Sequence, residues 1–431
     1  MQRILIDVTR LVYRRLKNKL PTGIDRVSLQ YIHHYSQQPG SSTRAVLSLG
    51  PFSAVLSPED SAAVFAALCD VNITVKRLAA RVIAKAVGWR WLSRDVAGCF
   101  LFNTGHMGLE NPHYAWMLRR SGARPVIVVH DLIPITHPEY CRSGERQHHL
   151  TRMNCAVKIS AGIISNSTHT LQTLVRFCRG DYQNGIAPFT TTLAPRLNMP
   201  PFVVAPLAPG LPKMAAAEIG KRPMQKPYFV ILGTIEPRKN HWLVLQIWRR
   251  LIETMGVDAP KLVLIGQRGW KCENVIDLLE RSTQLKGAVI ERSDCSDTEL
   301  ISYLHHAQAL LFPSFAEGYG MPVAEALSLG APVIASDLDA FREMAGDIPE
   351  YADPLDGKRW ATLIAEYSAQ GSAMRAAQLQ RIKQFQPSTW VQHFARVDGL
   401  LEQLSAGKNP AKQSLEQPRQ SPEQPTASHH G

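Results

Sequence analysis

Pro313–Ala326 reads PSFAEGYGMPVAEA and decides the fold. The apolar run Leu310–Phe312 before it has the length and composition of a buried strand, and Val323–Leu329 after it has helical spacing. Gly318 and Gly320 lie between them and allow a backbone to approach a ligand closely with its amide hydrogens exposed. Pro322 suits the first position of a helix, whose amino terminus then aims unpaired N–H groups and a positive dipole end at that ligand. Glu317 and Glu325, eight residues apart, bracket the turn. One carboxylate before the glycines and one in the first helical turn are expected to face one pocket, where each accepts paired hydrogen bonds from adjacent sugar hydroxyls. A strand–loop–helix link with a capping glutamate explains the spacing alone, but not the glycines, proline and flanking strand together.

Working outward, strands alternate with helices, the signature of parallel sheets in doubly wound α/β domains. The second half opens with strand Tyr228–Leu232 and continues through helix Trp242–Glu253, strand Leu262–Ile265 and helix Asn274–Ser282. Strand Ala288–Ile290, helix Asp297–His306, strand Leu310–Phe312 and a closing strand Val333–Ala335 complete it. In the first half, Arg3–Val8 reads as a strand followed by a basic loop, then a helix from Ile24 through Tyr31. Further strands are expected at Ala45–Leu49, Cys99–Asn103, Val126–Val129 and Gly162–Ser165, with a helix at Ser143–Ile159. The proline-bearing stretch from Pro206 to Pro227 separates the halves, which gives domains at 1–210 and 220–387. Ser388 is placed to cap a last helix over 388–404, with Trp390, Phe394, Val397, Leu400 and Leu401 on one side. Residues 405–431 are nearly devoid of apolar side chains and read as a disordered tail.

The chain has 431 residues, enough for two cores, and no apolar run of the roughly 20 residues a membrane-spanning helix needs. Asp7 interrupts the apolar start and its cations follow rather than precede it, so it is not read as a signal peptide and the expected location is cytoplasmic. Seven cysteines without CxxC pairs argue against a disulfide framework or a zinc site. The net charge of +12 implies anionic partners, or simply solubility. Val75–Leu92 places Arg77, Arg81 and Lys85 beside an apolar face with Trp89 and Trp91. It reads either as a peripheral membrane contact at the inner face or as a surface helix packed on its own domain. Nucleic acid is not an expected partner, because the basic residues elsewhere lack interleaved aromatics.

Three more segments carry chemistry. In Tyr228–Asn240, YFVILGTIEPRKN, a buried strand ends at Gly233 and a loop presents Arg238 and Lys239. Ligands of open parallel sheets sit at the carboxyl ends of strands, and two cations there suit a pyrophosphate. In Val126–His137, VIVVHDLIPITH, His130 stands at a strand end on the side of the expected cleft. In Pro21–Val27, PTGIDRV, Gly23 offers a close backbone approach and Arg26 a further charge.

These segments, in this order, resemble family 4 of the retaining glycosyltransferases over nearly the whole chain before the tail. The family's E-x7-E pattern is matched by Glu317 and Glu325, its basic loop by Glu236–Asn240, and its trailing signature by Ala326–Ser336 and Glu343–Asp347. The resemblance implies a GT-B fold: two Rossmann-like doubly wound parallel-sheet domains facing across a cleft, with the last helix bracing the first domain. It implies that Glu325 binds the donor's ribose, that Arg238 and Lys239 hold the diphosphate, and that Glu317 with the amides of Gly318, Tyr319, Gly320 and Met321 holds the sugar. Gly23 would approach the donor, and His130 would meet the transferred sugar from the other domain. Some relatives carry an earlier arginine in the basic loop where Thr234 and Ile235 stand here, so the phosphate grip rests on two residues. Neither metal nor cofactor is expected, the nucleotide-diphosphate sugar being a substrate. The expected activity moves a hexose, mannose favoured, onto a growing, lipid-linked polysaccharide at the membrane face. A GT-B sugar-nucleotide epimerase or hydrolase, or a non-catalytic nucleotide-sugar-binding scaffold, would use many of the same residues.

Overall fold

In the computed structural model, residues 3–18, 21–38, 42–49, 52–70, 73, 96–182, 197–212, 214 and 219–407 are described. The basic stretch 75–92 and nearly all of the expected tail lie outside them.

The first sheet contains β1 (Ile4–Asp7), β2 (Arg44–Leu49), β3 (Phe52–Val55), β4 (Phe100–Asn103), β5 (Arg124–Val129), β6 (Gly162–Ser165) and β7 (Phe202–Val204). Its order is β3-β2-β1-β4-β5-β6-β7, parallel throughout except for the antiparallel pair β2–β3. Among the described residues its helices are α1 (Thr9–Leu16), α2 (Gly23–Ser36), α3 (Pro58–Cys69), α4 (Pro112–Ser121), α5 (Ile133–Thr136), α6 (Glu145–Ile159) and α7 (Thr168–Arg179). Val126, Ile127, Val128 and Val129 are all buried, as expected of a central strand covered on both faces.

The second sheet contains β8 (Tyr228–Leu232), β9 (Lys261–Ile265), β10 (Val289–Arg292), β11 (Leu310–Phe312), β12 (Val333–Ser336) and β13 (Glu350–Ala352). Its order, β10-β9-β8-β11-β12-β13, is the doubly wound dinucleotide-domain order, with the direction of winding reversing between β8 and β11. Its helices are α8 (His241–Met255), α9 (Glu273–Arg281), α10 (Asp297–His306), α11 (Met321–Ser328), α12 (Asp339–Ala345), α13 (Gly357–Ser368) and α14 (Ala373–Ile382). Each sheet has a separate apolar cluster on either face. The last helix, α15 (Trp390–Ser405), buries Phe394, Val397, Leu400 and Leu401 in the first sheet's core.

The architecture expected from the alternation is borne out, and four local readings need correction. The basic loop after the first strand is the helix α1, because Leu11 and Val12 pack into the core while Arg10 and Arg14 lie half-buried on Asp25. Val333–Ala335 does not close the second sheet: β13 pairs parallel with β12, and its three residues are too few to show a period. The first residue of α11 is Met321, with Pro322 second, so Glu325 lies one residue beyond the first helical turn. The cap of α15 is Thr389, whose hydroxyl accepts from the Gln392 amide at 3.2 Å, and Ser388 precedes it.

Candidate active site

The loops that follow β8 and β11 meet at the reversal point of the second sheet. After β8 the chain turns through Pro237–Lys239 and enters α8 from Asn240, which adopts a left-handed conformation. This turn brings Arg238 and Lys239 against the β11 loop. Glu317 Oε1 lies 2.6 Å from Arg238 Nη1 and 2.6 Å from Lys239 Nζ. Arg238 is held further by Glu236, at 2.7 Å from Nη2, and donates from Nη1 to the Ala316 carbonyl at 2.8 Å. Lys239 Nζ stands 4.2 Å over the Phe312 ring. Two carboxylates and two cations therefore form one nearly buried network.

Burial opposes ionisation of Glu317, but Arg238 and Lys239 outweigh it and hold its carboxyl at about 2. Burial likewise works against the Arg238 cation, and Glu317 with Glu236 reverses the effect and raises it. Lys239 is lowered by burial first, with the neighbouring Arg238 adding to the effect and Glu317 opposing it. Each of the two cations is paired with a carboxylate, since a buried lone charge is severely penalised.

Glu325 does not join this network. Its Oε1 accepts from the Gly210 amide at 3.2 Å, in the connection between the two sheets. Burial raises its carboxyl to about 7, against the lowering influence of Arg26 and of the amides of Gly210 and Leu211.

Between the two glutamates the backbone conformation is dictated by glycine. Gly320 has φ +87, and a Cβ there would fall 2.3 Å from the Phe341 ring. A Cβ on Gly318 would fall 2.1 Å from the His130 carbonyl oxygen, so only glycine lets the β11 loop touch the end of β5. The Gly318 carbonyl accepts from Ser167 Oγ at 2.7 Å and from Thr170 Oγ1 at 3.1 Å, across the domain boundary. Tyr319 donates its hydroxyl to the Leu207 carbonyl at 2.5 Å and packs into the first-sheet core. The nearest atom to a Cβ built on Gly23 is Met321 Cε at 4.0 Å, which sets the α2 start opposite the α11 start.

His130 sits at the carboxyl end of β5 and is buried. Its Nε2 donates to the Thr104 carbonyl at 2.7 Å, and burial lowers its affinity for a proton. The ring is thus neutral with Nδ1 as an acceptor. Two further buried histidines lie beside it: His106, with ring centroids 5.7 Å apart, and beyond it His149, at 5.9 Å from His106. Among the described residues no group of three or more His, Cys, Asp or Glu is placed to hold a metal ion.

Sequence reading missed Ser167, Thr170 and the bracing role of Glu236. Glu236 lay inside the quoted loop, and Ser167 follows a recognisable strand end, but spacing does not reveal contacts with another domain. Glu343 accepts from the Thr168 and His169 amides at 2.7 and 3.1 Å, which joins α12 to the start of α7. At the rim, Tyr140 stacks on Phe315 with ring centroids 5.0 Å apart, and the Arg142 guanidinium lies 4.7 Å over the Trp270 ring.

Residues 214–369 match the family model "Glycosyl transferases group 1". The second sheet is the core of a glycosyl transferases group 1 domain. This group 1 domain sits in a chain similar to the serotype-specific mannosyltransferase WbdA of Escherichia coli, 30% identical over 265 residues, 56% of this chain and 29% of that protein. The O-antigen chain mannosyltransferase B of Escherichia coli is 30% identical over 233 residues, 54% of this chain and 58% of that protein. The chain thus spans less than two thirds of the curated relatives it matches. Among solved structures, sucrose-phosphate synthase from Thermosynechococcus elongatus superposes with a TM-score of 0.60 at 15% identity, over 95% of this chain and all of that one. Anabaena HepE in complex with UDP-glucose superposes with a TM-score of 0.58 at 14% identity, over 94% of this chain and 99% of that one. The fold is GT-B.

Proposed function

We propose that the chain is a retaining glycosyltransferase that moves a hexose, mannose favoured, from a nucleotide-diphosphate sugar to a growing, lipid-linked polysaccharide at the inner membrane face. The observation that carries the reading is the junction of Lys239, Arg238 and Glu317 at the reversal point of a group 1 domain, with the His130 carbonyl meeting the adjacent Gly318 from the other domain. The mannosyltransferases among the similar proteins support mannose.

In this reading the donor's diphosphate takes over Lys239 and part of Arg238 from Glu317. Cleavage of the sugar–phosphate bond builds charge on the outer phosphate, which Lys239, Arg238 and the amino terminus of α11 oppose. Glu317, kept ionised, is then free to accept from sugar hydroxyls, and neutral His130 accepts another through Nδ1. Glu317 serves as a sugar binder rather than as a nucleophile. The acceptor attacks on the face the phosphate leaves, and the departing phosphate takes the acceptor's proton. Glu325 receives the ribose hydroxyls at the nucleoside end.

The test is a donor screen with GDP-, UDP- and dTDP-sugars and a mannan oligosaccharide acceptor, following nucleotide release and product mass. Acceptor extension from GDP-mannose is expected. Donor consumption without glycan growth would identify an epimerase or hydrolase instead, and binding without turnover a scaffold.

A further inference from the structure

We propose that Arg26 of the first domain is a positioning residue for Glu325, held in place by Asp297 of the second. The inference rests on the donor-binding reading of Glu325 given above and assigns what keeps that carboxyl ready.

Arg26 leaves the first domain from the opening turn of α2 and ends in a two-point fork on Asp297, at 3.0 Å from Nη1 and 2.6 Å from Nη2. Asp297 is the first residue of α10, in the second domain. The same Nη1 donates to the Gly210 carbonyl at 3.4 Å, while the Gly210 amide donates to Glu325 at 3.2 Å. One peptide segment between the domains is therefore gripped on its carbonyl by Arg26 and on its amide by Glu325. A Cβ on Gly210 would meet Glu325 Oε1 at 3.0 Å, Arg26 Cδ at 3.2 Å and Met321 Sδ at 3.2 Å, so the three side chains converge on this glycine.

The charged groups facing Glu325 are Arg26 from α2, which favours its ionised form, and Asp297 from α10, which opposes it. Burial alone would leave the carboxyl protonated. A carboxylate accepts hydrogen bonds from both hydroxyls of a ribose, and a carboxylic acid has given up part of that capacity. Arg26 belongs to the other domain and reaches Glu325 only when the domains meet. Arg26 thereby offsets part of the burial penalty on the carboxyl that is to meet a nucleoside.

The sign follows from the direction of the shift. Glu325 loses its charge as pH falls through about 7, so nucleotide affinity should fall on the acid side. Removing the Arg26 charge pushes the carboxyl higher still and moves that limb toward alkaline pH. The experiment titrates GDP and UDP into the full chain by calorimetry between about pH 5.5 and 8.5, on either side of this limb. Glu325→Gln serves to subtract the nucleotide's own phosphate titration. Arg26→Gln should move the limb up by about one unit and weaken binding near pH 7 by about fivefold. Arg26→Lys should restore most of both. An Arg26→Gln limb in the parent position, with Glu325→Gln abolishing it, overturns the inference and leaves the donor reading standing. A Glu325→Gln protein that binds nucleotide like the parent at every pH removes the donor reading of Glu325 and the inference with it. Circular dichroism and melting of each variant separate these outcomes from unfolding.

Discussion

The two glutamates that bracket the glycine turn are chemically the same and electrostatically opposite. Glu317 stands between Arg238 and Lys239 and is held ionised at about 2. Glu325 is buried as deeply, leans on backbone amides with one cation from another domain, and is raised to about 7. Burial pushes both the same way, so the number and distance of cations decide the difference. One end of the motif is a fixed charge inside a finished network, and the other is an acceptor whose charge is set by burial against a single cation. In the proposed function the cations around the first meet the leaving phosphate and the second meets the neutral ribose.

Lys239→Ala tests whether the Glu317 end carries the chemistry. Turnover should fall by about a thousandfold, with the circular dichroism spectrum intact because Arg238 still pairs Glu317; near-normal turnover would refute the assignment. Stability compares the two ends directly. Glu317→Gln leaves Lys239 and Arg238 with Glu236 as their remaining carboxylate partner, and denaturant melts should show a loss of about 3 kcal/mol or more. Glu325→Gln keeps a neutral acceptor for the Gly210 amide and should change stability by about 1 kcal/mol or less. Equal losses at both positions would erase the contrast. Gly318→Ala tests whether the contact with His130 matters: its Cβ would collide with the His130 carbonyl, and the resulting displacement should lower turnover by about a hundredfold. Small-angle scattering should show a more open molecule, and unchanged scattering with unchanged turnover would show that the contact is dispensable. The smallest effect is expected at the rim. Tyr140→Ala removes the stack on Phe315 and should weaken interdomain coupling by about 1 kcal/mol, read as a modest rise in the donor KM with kcat preserved.

Much of the fold is visible in the chain. Buried parallel strands such as Tyr228–Leu232 and Gly162–Ser165 announce themselves as apolar runs bounded by polar turns, and both stand with those bounds in the structure. Helix α1 escaped because its eight residues carry three arginines, which hides the Leu11–Val12 face that packs inward. Strand β3 escaped because it follows β2 too closely for a period to develop. Within the site, the sequence singled out Glu317, Glu325, Arg238 and Lys239, but not the pairing of Glu317 with both cations. It did not reveal that Ser167, Thr170 and Glu343 tie the domains together.

Local sequence determined the alternation of strands and helices, the glycine turn and the residue types available at the strand ends, because each depends on backbone propensity and the period of apolar side chains. Only the tertiary structure decided which carboxylate would be ionised and which would hover near neutrality. That outcome depends on distances to cations up to 299 positions away along the chain, as Arg26 is from Glu325, and such distances exist only once two separately folded sheets have come together.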